Sequence, residues 1–459
     1  MGISASVYRH LEKLAGKNFV TRDKADLMCY SYDATGQSCL PDAVIFPDSE
    51  DQVAQIMTLA WENSLPVIPR GSGSGMTGGA VPVQGGLVVA TSRMNRILDI
   101  DEKNFTATVE PGVIVSHLHT AVEARGLFYP PDPASAAVCS IGGNVGECAG
   151  GPRAVKYGVT RDYVLGLRAV LPSGEIIRTG VSTAKGVAGY DLTRLIVGSE
   201  GTLALVTRIV LKLLPRPESV ATLAVCFDDM HTAARAVSGI MRLAVIPRCV
   251  EYLDAASLDL VKDHLRFVLP KKARALLILE VDGDAGSVNA QKDLITRFCK
   301  KAGALDIRTA NDPGEAAALW EARKALSPIL YNIANQKINE DIVVPISRIP
   351  DMVARIKQIQ QESGLTIVSF GHAGDGNIHC NIMYDKQNAS QAERAKKAVD
   401  QLFEATIALG GTITGEHGVG LTKMAYLSLE IGPVEQGIMK KIKAVFDPRQ
   451  ILNPGKIFP

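Results

Sequence analysis

Three of the eight histidines fall within residues 372–417, and two of them bracket a turn. The stretch GHAGDGNIH (371–379) has apolar residues before and after it, which predicts two strands joined at Asp375-Gly376, a two-residue hairpin signal. On that register 374 pairs with 377 and 373 with 378. His372 then stands directly opposite His379, with Cβ atoms about 5 Å apart. Two imidazoles so placed suit one metal ion, and Asn381 shares the face of His379 by period-two alternation. One such histidine alone would read as an ordinary strand residue. The pair, with a Glu-His dipeptide in a second glycine loop, GEHGVG (415–420), reads as a metal centre. Glu416 is the expected third ligand, because two histidines and a carboxylate leave positions open for a substrate. His417, pointing differently in an extended segment, is the expected general base, since an imidazole titrates near neutrality.

The elements that must position these residues are punctuated by glycine. Residues 70–79 read RGSGSGMTGG, and Gly73, Gly75 and Gly78 formally match a dinucleotide fingerprint with Asp99 further on. A true fingerprint opens a helix. Here Pro82 and Gly85-Gly86 break any helix, and the next element is a strand, so a Rossmann site is rejected. What remains is a loop of bare backbone N–H groups able to wrap a pyrophosphate. Strands are expected at 43–46, 67–69, 86–91, 106–109, 163–171, 174–179 and 203–214, with a helix between the first two. After Pro215-Arg216-Pro217 the rhythm becomes strand, helix, strand, helix (221–227, 231–244, 276–282, 285–302), a small sheet with helices on one face. A helix is expected around 311–333.

Composition narrows the function classes. The chain has 459 residues, long enough for two or three domains, with Lys+Arg 49 against Asp+Glu 48 and a net charge of +1. That balance argues against binding nucleic acid by bulk charge. No apolar run approaches a membrane span, and the N-terminal residues lack the apolar core of a signal peptide. Gly2 and Ser6 fit only the loose myristoylation pattern. The cysteines at 29, 39, 139, 148, 226, 249, 299 and 380 form no C-x-x-C pair, so reduced thiols are expected rather than clusters or disulfides.

Taken in order, the motifs resemble one family. They are PRGSGSGMTGG, PDPASAAVCSIGGNVGECAGG, KYGVTRDYVLGL, GYDLTRLIVGSEGTL, KINEDIVVP, GHAGDGNIH, GEHGVG and ILNPGKIF, and they span nearly the whole chain. The chain resembles flavoproteins of the vanillyl-alcohol-oxidase type, in the branch of D-lactate dehydrogenases, the glycolate oxidase flavin subunit and D-2-hydroxyglutarate dehydrogenase. The resemblance implies an α+β architecture: a two-subdomain FAD-binding domain of the PCMH type and a ferredoxin-like α+β cap domain for substrate. The expected division is an N-terminal helical segment at 1–35, the FAD domain at 36–215, the cap with the metal site at 216–419, and a tail at 420–459 returning to the FAD domain.

By the same resemblance, FAD binds through Pro69, Arg70, Gly71, Ser72, Gly73, Ser74, Gly75, Thr77, Gly78 and Gly79 at the pyrophosphate. Asp132, Ser135, Gly142, Gly143, Asn144 and Gly150 belong to the flavin side, Val206 to the adenine end, and Asn453 to the returning tail. The first loop has no histidine, so FAD is expected to be non-covalent. Cys148 stands where the family often has Asn. Zinc, manganese or iron is implied at His372, His379 and Glu416. A helix arginine taken alone is a solvated charge, but Arg323, Ser327 and Lys337 match positions that contact substrate carboxylates, and Asn381 is added to them. The implied activity is FAD-dependent, metal-assisted oxidation of a D-2-hydroxyacid, D-lactate or glycolate, to the 2-oxoacid, with His417 taking the hydroxyl proton and hydride passing to flavin N5. D-2-hydroxyglutarate is the alternative substrate. Other classes are a flavin-free metalloenzyme and a non-catalytic FAD-binding subunit. Electrons would leave to an electron-transfer flavoprotein or an iron–sulfur subunit. A homodimer is allowed, and the compartment is expected to be the cytoplasm, with membrane contact only through a partner.

Overall fold

The structure, a computed structural model, describes residues 2–183, 185–265 and 267–459. Among these, eighteen strands form four sheets. The chain divides into two compact units: Met1–Gly150, Val159–Arg216 and Glu416–Pro459 in the first, Gly151–Gly158 and Pro217–Gly415 in the second.

Short β-branched runs bounded by turns build the first unit. β1 (Val20–Thr21), β2 (Ala43–Ile45), β3 (Val67–Arg70) and β4 (Leu87–Ala90) form a sheet in the order β1-β2-β4-β3. β4 runs parallel to both β2 and β3, as the helix Glu50–Glu62 between β2 and β3 requires. Ser49 caps that helix, its Oγ accepting from Gln52 N at 3.4 Å. Val53, Ile56 and Met57 bury its inner face in a core that also holds Leu11, Val67, Leu87 and Leu452. The N-terminal helix Ala5–Ala15 is thus part of this core rather than a separate segment. β5 (Ile97–Asp101), β6 (Thr106–Val109), β8 (Val164–Val170), β9 (Ile176–Gly180) and β10 (Leu205–Lys212) form an antiparallel sheet in the order β5-β6-β10-β8-β9, and β7 (Leu127–Phe128) pairs with β11 (Leu214–Pro215).

The second unit is larger than the expected small sheet. β12 (Ser219–Phe227), β13 (Cys249–Leu253), β14 (Ala275–Gly283), β15 (Asp306–Thr309), β16 (Gln336–Val343), β17 (Thr366–His372) and β18 (Asn377–Tyr384) make one antiparallel sheet, ordered β15-β12-β14-β13-β17-β18-β16. Its core holds Leu253, Leu276, Ile278, Leu326 and Phe370. The excursion Gly151–Gly158 belongs here because Tyr157 donates to Asp282 Oδ2 at 2.7 Å and Lys156 donates to the same carboxylate.

The register of the β17–β18 hairpin differs from the expected one. Phe370, not His372, lies opposite His379. The connection Ala373–Gly376 is four residues long, not the two-residue loop that Asp375-Gly376 signals. The slip is two positions. Because side chains alternate faces, an even slip leaves both histidines on one face, as diagonal rather than direct neighbours.

Candidate active site

In the second unit a row of polar side chains crosses four neighbouring strands. Glu251 on β13 lies opposite His372 on β17, and Asp341 on β16 lies opposite His379 on β18. All four are buried, Glu251 and Asp341 completely. Nδ1 of His372 is in hydrogen-bond contact with Glu251 Oε1, and Nδ1 of His379 faces Asp341 Oδ1 at 3.9 Å. Both Nε2 atoms therefore turn inward, and they lie 3.3 Å apart. Two nitrogens bound to zinc at about 2.0–2.1 Å with a tetrahedral angle would be about 3.3 Å apart, so the pair fits a metal ion. Carboxylates behind ligating histidines fix the ring orientation and tautomer.

The same glutamate serves a second partner. Arg323, on the helix Pro313–Ile329, donates from Nε to Glu251 Oε2 at 2.8 Å and stacks over the Phe370 ring at 4.5 Å. Burial pushes the Glu251 carboxyl up, but His372 and Arg323 outweigh it and hold it below its ordinary range. One turn along the helix, Ser327 Oγ accepts from Lys337 Nζ at 2.8 Å, and burial lowers the Lys337 ammonium. Asn381 is fully buried; its Nδ2 donates to the carbonyls of Val368 and His379 at 3.2 and 3.3 Å, and its Oδ1 has no partner. Arg323, Ser327, Lys337, Asn381, His372 and His379 thus all belong to this unit.

The first unit contains a cleft with roughly 1410 Å³ of space, open solvent at its mouth included. Pro69, Arg70, Gly71, Ser72, Gly73, Ser74, Gly75 and Gly79 line it, with Ser135, Gly142, Gly143, Asn144, Val206, Glu416 and His417. The first loop joins two strands and opens no helix, as Pro82 and its glycines predict. Within the segment CSIGGNVGECAGG, Ile141–Glu147 is a helix, capped by Ser140, whose Oγ accepts from Gly143 N at 3.2 Å. A Cβ on Gly142 would lie 2.6 Å from Pro111 Cβ, so glycine lets this helix approach Pro111. Asn144 Nδ2 is buried with no partner, and a bound cofactor would offer it acceptors. Thr77 and Asn453 support the loop from behind: Thr77 Oγ1 donates to the His417 carbonyl at 3.1 Å, and Asn453 Nδ2 bridges the carbonyls of Gly79 and Glu200 at 3.0 and 2.8 Å. Gly78, Asp132 and Gly150 are not among the lining residues. Glu416 belongs to this unit, and a Cβ on Gly150 would lie 2.8 Å from its Oε2.

Comparison with known proteins decides the family. Residues 216–457 match the model of FAD linked oxidases, C-terminal domain, and residues 41–180 match that of an FAD binding domain. The chain belongs to the FAD-linked oxidases. This FAD-linked oxidase is 46% identical over 457 residues, 99% of its length and 97% of the relative's, to the glycolate oxidase subunit GlcD of Bacillus subtilis. It is 36% identical to a D-lactate dehydrogenase of Anaerostipes hadrus, covering 91% of this chain and 89% of that one. Its fold is that of p-cresol methylhydroxylase (TM-score 0.83, 20% identity, 99% of this chain and 98% of that one). The fold is shared with alkyldihydroxyacetonephosphate synthase too (TM-score 0.77, 19% identity, 99% and 85%). It is an oxidoreductase with the PCMH-type FAD-binding fold. Among the described residues no helix is long and apolar enough to cross a membrane.

Sequence reasoning missed Glu251, Asp341, Glu147 and Glu200. The first two carried a signal: an acid inside an apolar strand run, CVEYL and KINEDIVV, which burial permits only with a partner.

Proposed function

We propose that this FAD-linked oxidase oxidises a small D-2-hydroxyacid, D-lactate or glycolate, to the 2-oxoacid. The observation that carries the reading is the row Glu251, His372, His379, Asp341 with Arg323 joined to it through Glu251. A guanidinium anchors a carboxylate, and two inward Nε2 atoms offer a divalent cation a seat. We assign zinc, manganese or iron to His372 and His379, with Glu416 as third ligand. Glu416 directly follows Gly415, whose N–H is held by Asp341 Oδ2 at 2.9 Å. When bound, the metal supplies Lewis acidity toward the substrate hydroxyl. FAD, seated non-covalently in the cleft with its diphosphate in the glycine loop, supplies the hydride acceptor at N5.

The protein's residues do the rest. Arg323 holds and orients the substrate carboxylate, Ser327 and Asn381 add polar contacts, and His417, on the cleft wall, accepts the hydroxyl proton. Lys337, on β16 with its Nζ on Ser327 Oγ at 2.8 Å, is a second cation and favours the alternative substrate D-2-hydroxyglutarate, whose distal carboxylate it would meet. The names of the relatives support a hydroxyacid substrate and, through the word subunit, a protein acceptor such as an iron–sulfur subunit or an electron-transfer flavoprotein. A cytoplasmic protein reaching the membrane through such a partner is consistent with this assignment.

Anaerobic mixing of the flavin-loaded protein with a panel of D- and L-2-hydroxyacids tests the reading. Bleaching by D-lactate or glycolate is expected; bleaching only by D-2-hydroxyglutarate selects the alternative, and no bleaching by any of them refutes both.

A further inference from the structure

The cofactor cleft has acids in its wall that the proposed chemistry leaves unused. Glu147, at the end of the helix Ile141–Glu147, and Glu200, in the loop after Ser199, both line it. Their carboxyl groups meet at Gly418, where φ is +84° and a Cβ would lie 2.5 Å from Glu147 Oε2 and 2.9 Å from Glu200 Oε1. Only glycine fits between them. Glu200 is the fixed member. Burial raises its proton affinity, but its two oxygens accept from the amides of Val419 at 2.8 Å and Gly420 at 2.7 Å, donors that work against burial and that Glu147 lacks. Glu147 has no such support: its Oε2 is buried without a partner, and its Oε1 lies where side chains on Gly75 or Gly79 would be, 3.8 and 2.9 Å from their Cβ positions.

Resting on the reading that FAD places its diphosphate in the glycine loop, we propose that Glu147 keeps its proton and donates it in a hydrogen bond to that diphosphate. A second ionised carboxylate beside Glu200 and an incoming diphosphate would be repelled by both, whereas a neutral acid satisfies its own orphaned oxygen and the anion together. The groups facing Glu147 point the same way. Burial raises its proton affinity first, then Glu200 and Asp33; Lys456 alone opposes them. Lys456 is itself lowered to about 8 by burial while its Nζ holds the carbonyls of Gly78 and Val81. Lys423 faces Glu200, and Arg70 and His417 are other charged or titratable groups on the cleft wall. Glu147 is therefore a cofactor-holding residue, and its contribution is lost as pH rises through its raised value.

The test uses the full chain stripped of FAD and reloaded. The dissociation constant for FAD, read by flavin fluorescence from pH 5 to 9, is expected to rise about 10- to 100-fold in Glu147→Ala, the range of a hydrogen bond to a charged group. In Glu147→Gln, which keeps a neutral donor of the same shape, it should rise less than about 3-fold, and the part of the wild-type pH dependence due to Glu147 should vanish, leaving that of Lys456. Infrared spectra at neutral pH should show a protonated-carboxyl band in the wild type that is missing in Glu147→Gln, and the ³¹P resonances of bound FAD should differ between the two. No such band, or ³¹P resonances unchanged by either substitution, overturns the proposal. If the wild type binds no FAD at any pH, the failure lies instead with the assignment of the cleft.

Discussion

At the scale of single residues, the most consequential group is one that does no chemistry of its own. Glu251 is completely buried and joins Arg323 to His372. Replacing it with Ala would strand the Arg323 guanidinium without its counter-charge, a change that costs about 3–5 kcal/mol in comparable buried pairs. We expect Glu251→Ala to lower the denaturation midpoint. Glu251→Gln should largely keep the fold yet weaken metal retention about 10- to 100-fold, as loss of a carboxylate behind a ligating histidine does. Metal content after dialysis checks the second expectation; full retention in Glu251→Gln would count against the orienting role. The shared face of His372 and His379 was legible because a turn signal between two apolar runs, with period-two alternation, brings them to one side of a hairpin. Glu251 was not, because its importance lies in being opposite His372, and the pairing of β13 with β17 joins residues 121 apart in sequence.

At the scale of elements, parity decides more than register. The β17–β18 turn is two residues longer than the Asp375-Gly376 signal implies, yet the histidines still meet. Deleting one residue from Ala373–Gly376 would move one histidine to the opposite face of the sheet. We expect such a deletion to abolish metal binding, measured by metal content, while deletion of two residues retains a measurable fraction of it. The helix Ile141–Glu147 makes the opposite point. Ala is ordinarily a better helix former than Gly by about 1 kcal/mol, but a methyl at Gly142 would collide with Pro111 Cβ at 2.6 Å. Gly142→Ala is therefore expected to lower thermal stability and FAD retention, and a rise in melting temperature would contradict the packing argument. The sequence pattern placed most strands and the loop between β3 and β4 correctly, since both follow from local alternation and from proline. It assigned no element to residues 141–147, because glycine frequency hides a helix whose glycines serve close approach.

At the scale of the whole molecule, the two units are interleaved along the chain, which passes from one to the other at residues 150–151, 158–159, 216–217 and 415–416. The excursion Gly151–Gly158 is held to its unit by Asp282, which takes Tyr157 and Lys156 as partners and lies 3.5 Å from Arg248 Nη1. Asp282→Ala removes the fully buried carboxylate that Tyr157, Lys156 and Arg248 share and is expected to destabilise the protein by about 3 kcal/mol or more, read from urea unfolding of the full chain. Nothing local marks residues 151–158 as part of a different unit from their neighbours, which is why the expected FAD domain, 36–215, ran straight through them.

The return of the C-terminal segment has a consequence for biosynthesis. Leu452 completes the core of the first unit, Val67 N donates to the Ile451 carbonyl at 2.8 Å, and Lys456 tethers the glycine loop through Gly78. During translation, residues 217–415 emerge before any of these contacts can form, although 1–216 emerged earlier still. The second unit can thus fold on the ribosome while the first waits, its loop untethered. Loading of the flavin becomes a late event, after residues 451–456 have left the exit tunnel, and a nascent chain halted before that point would present a glycine loop without its tether.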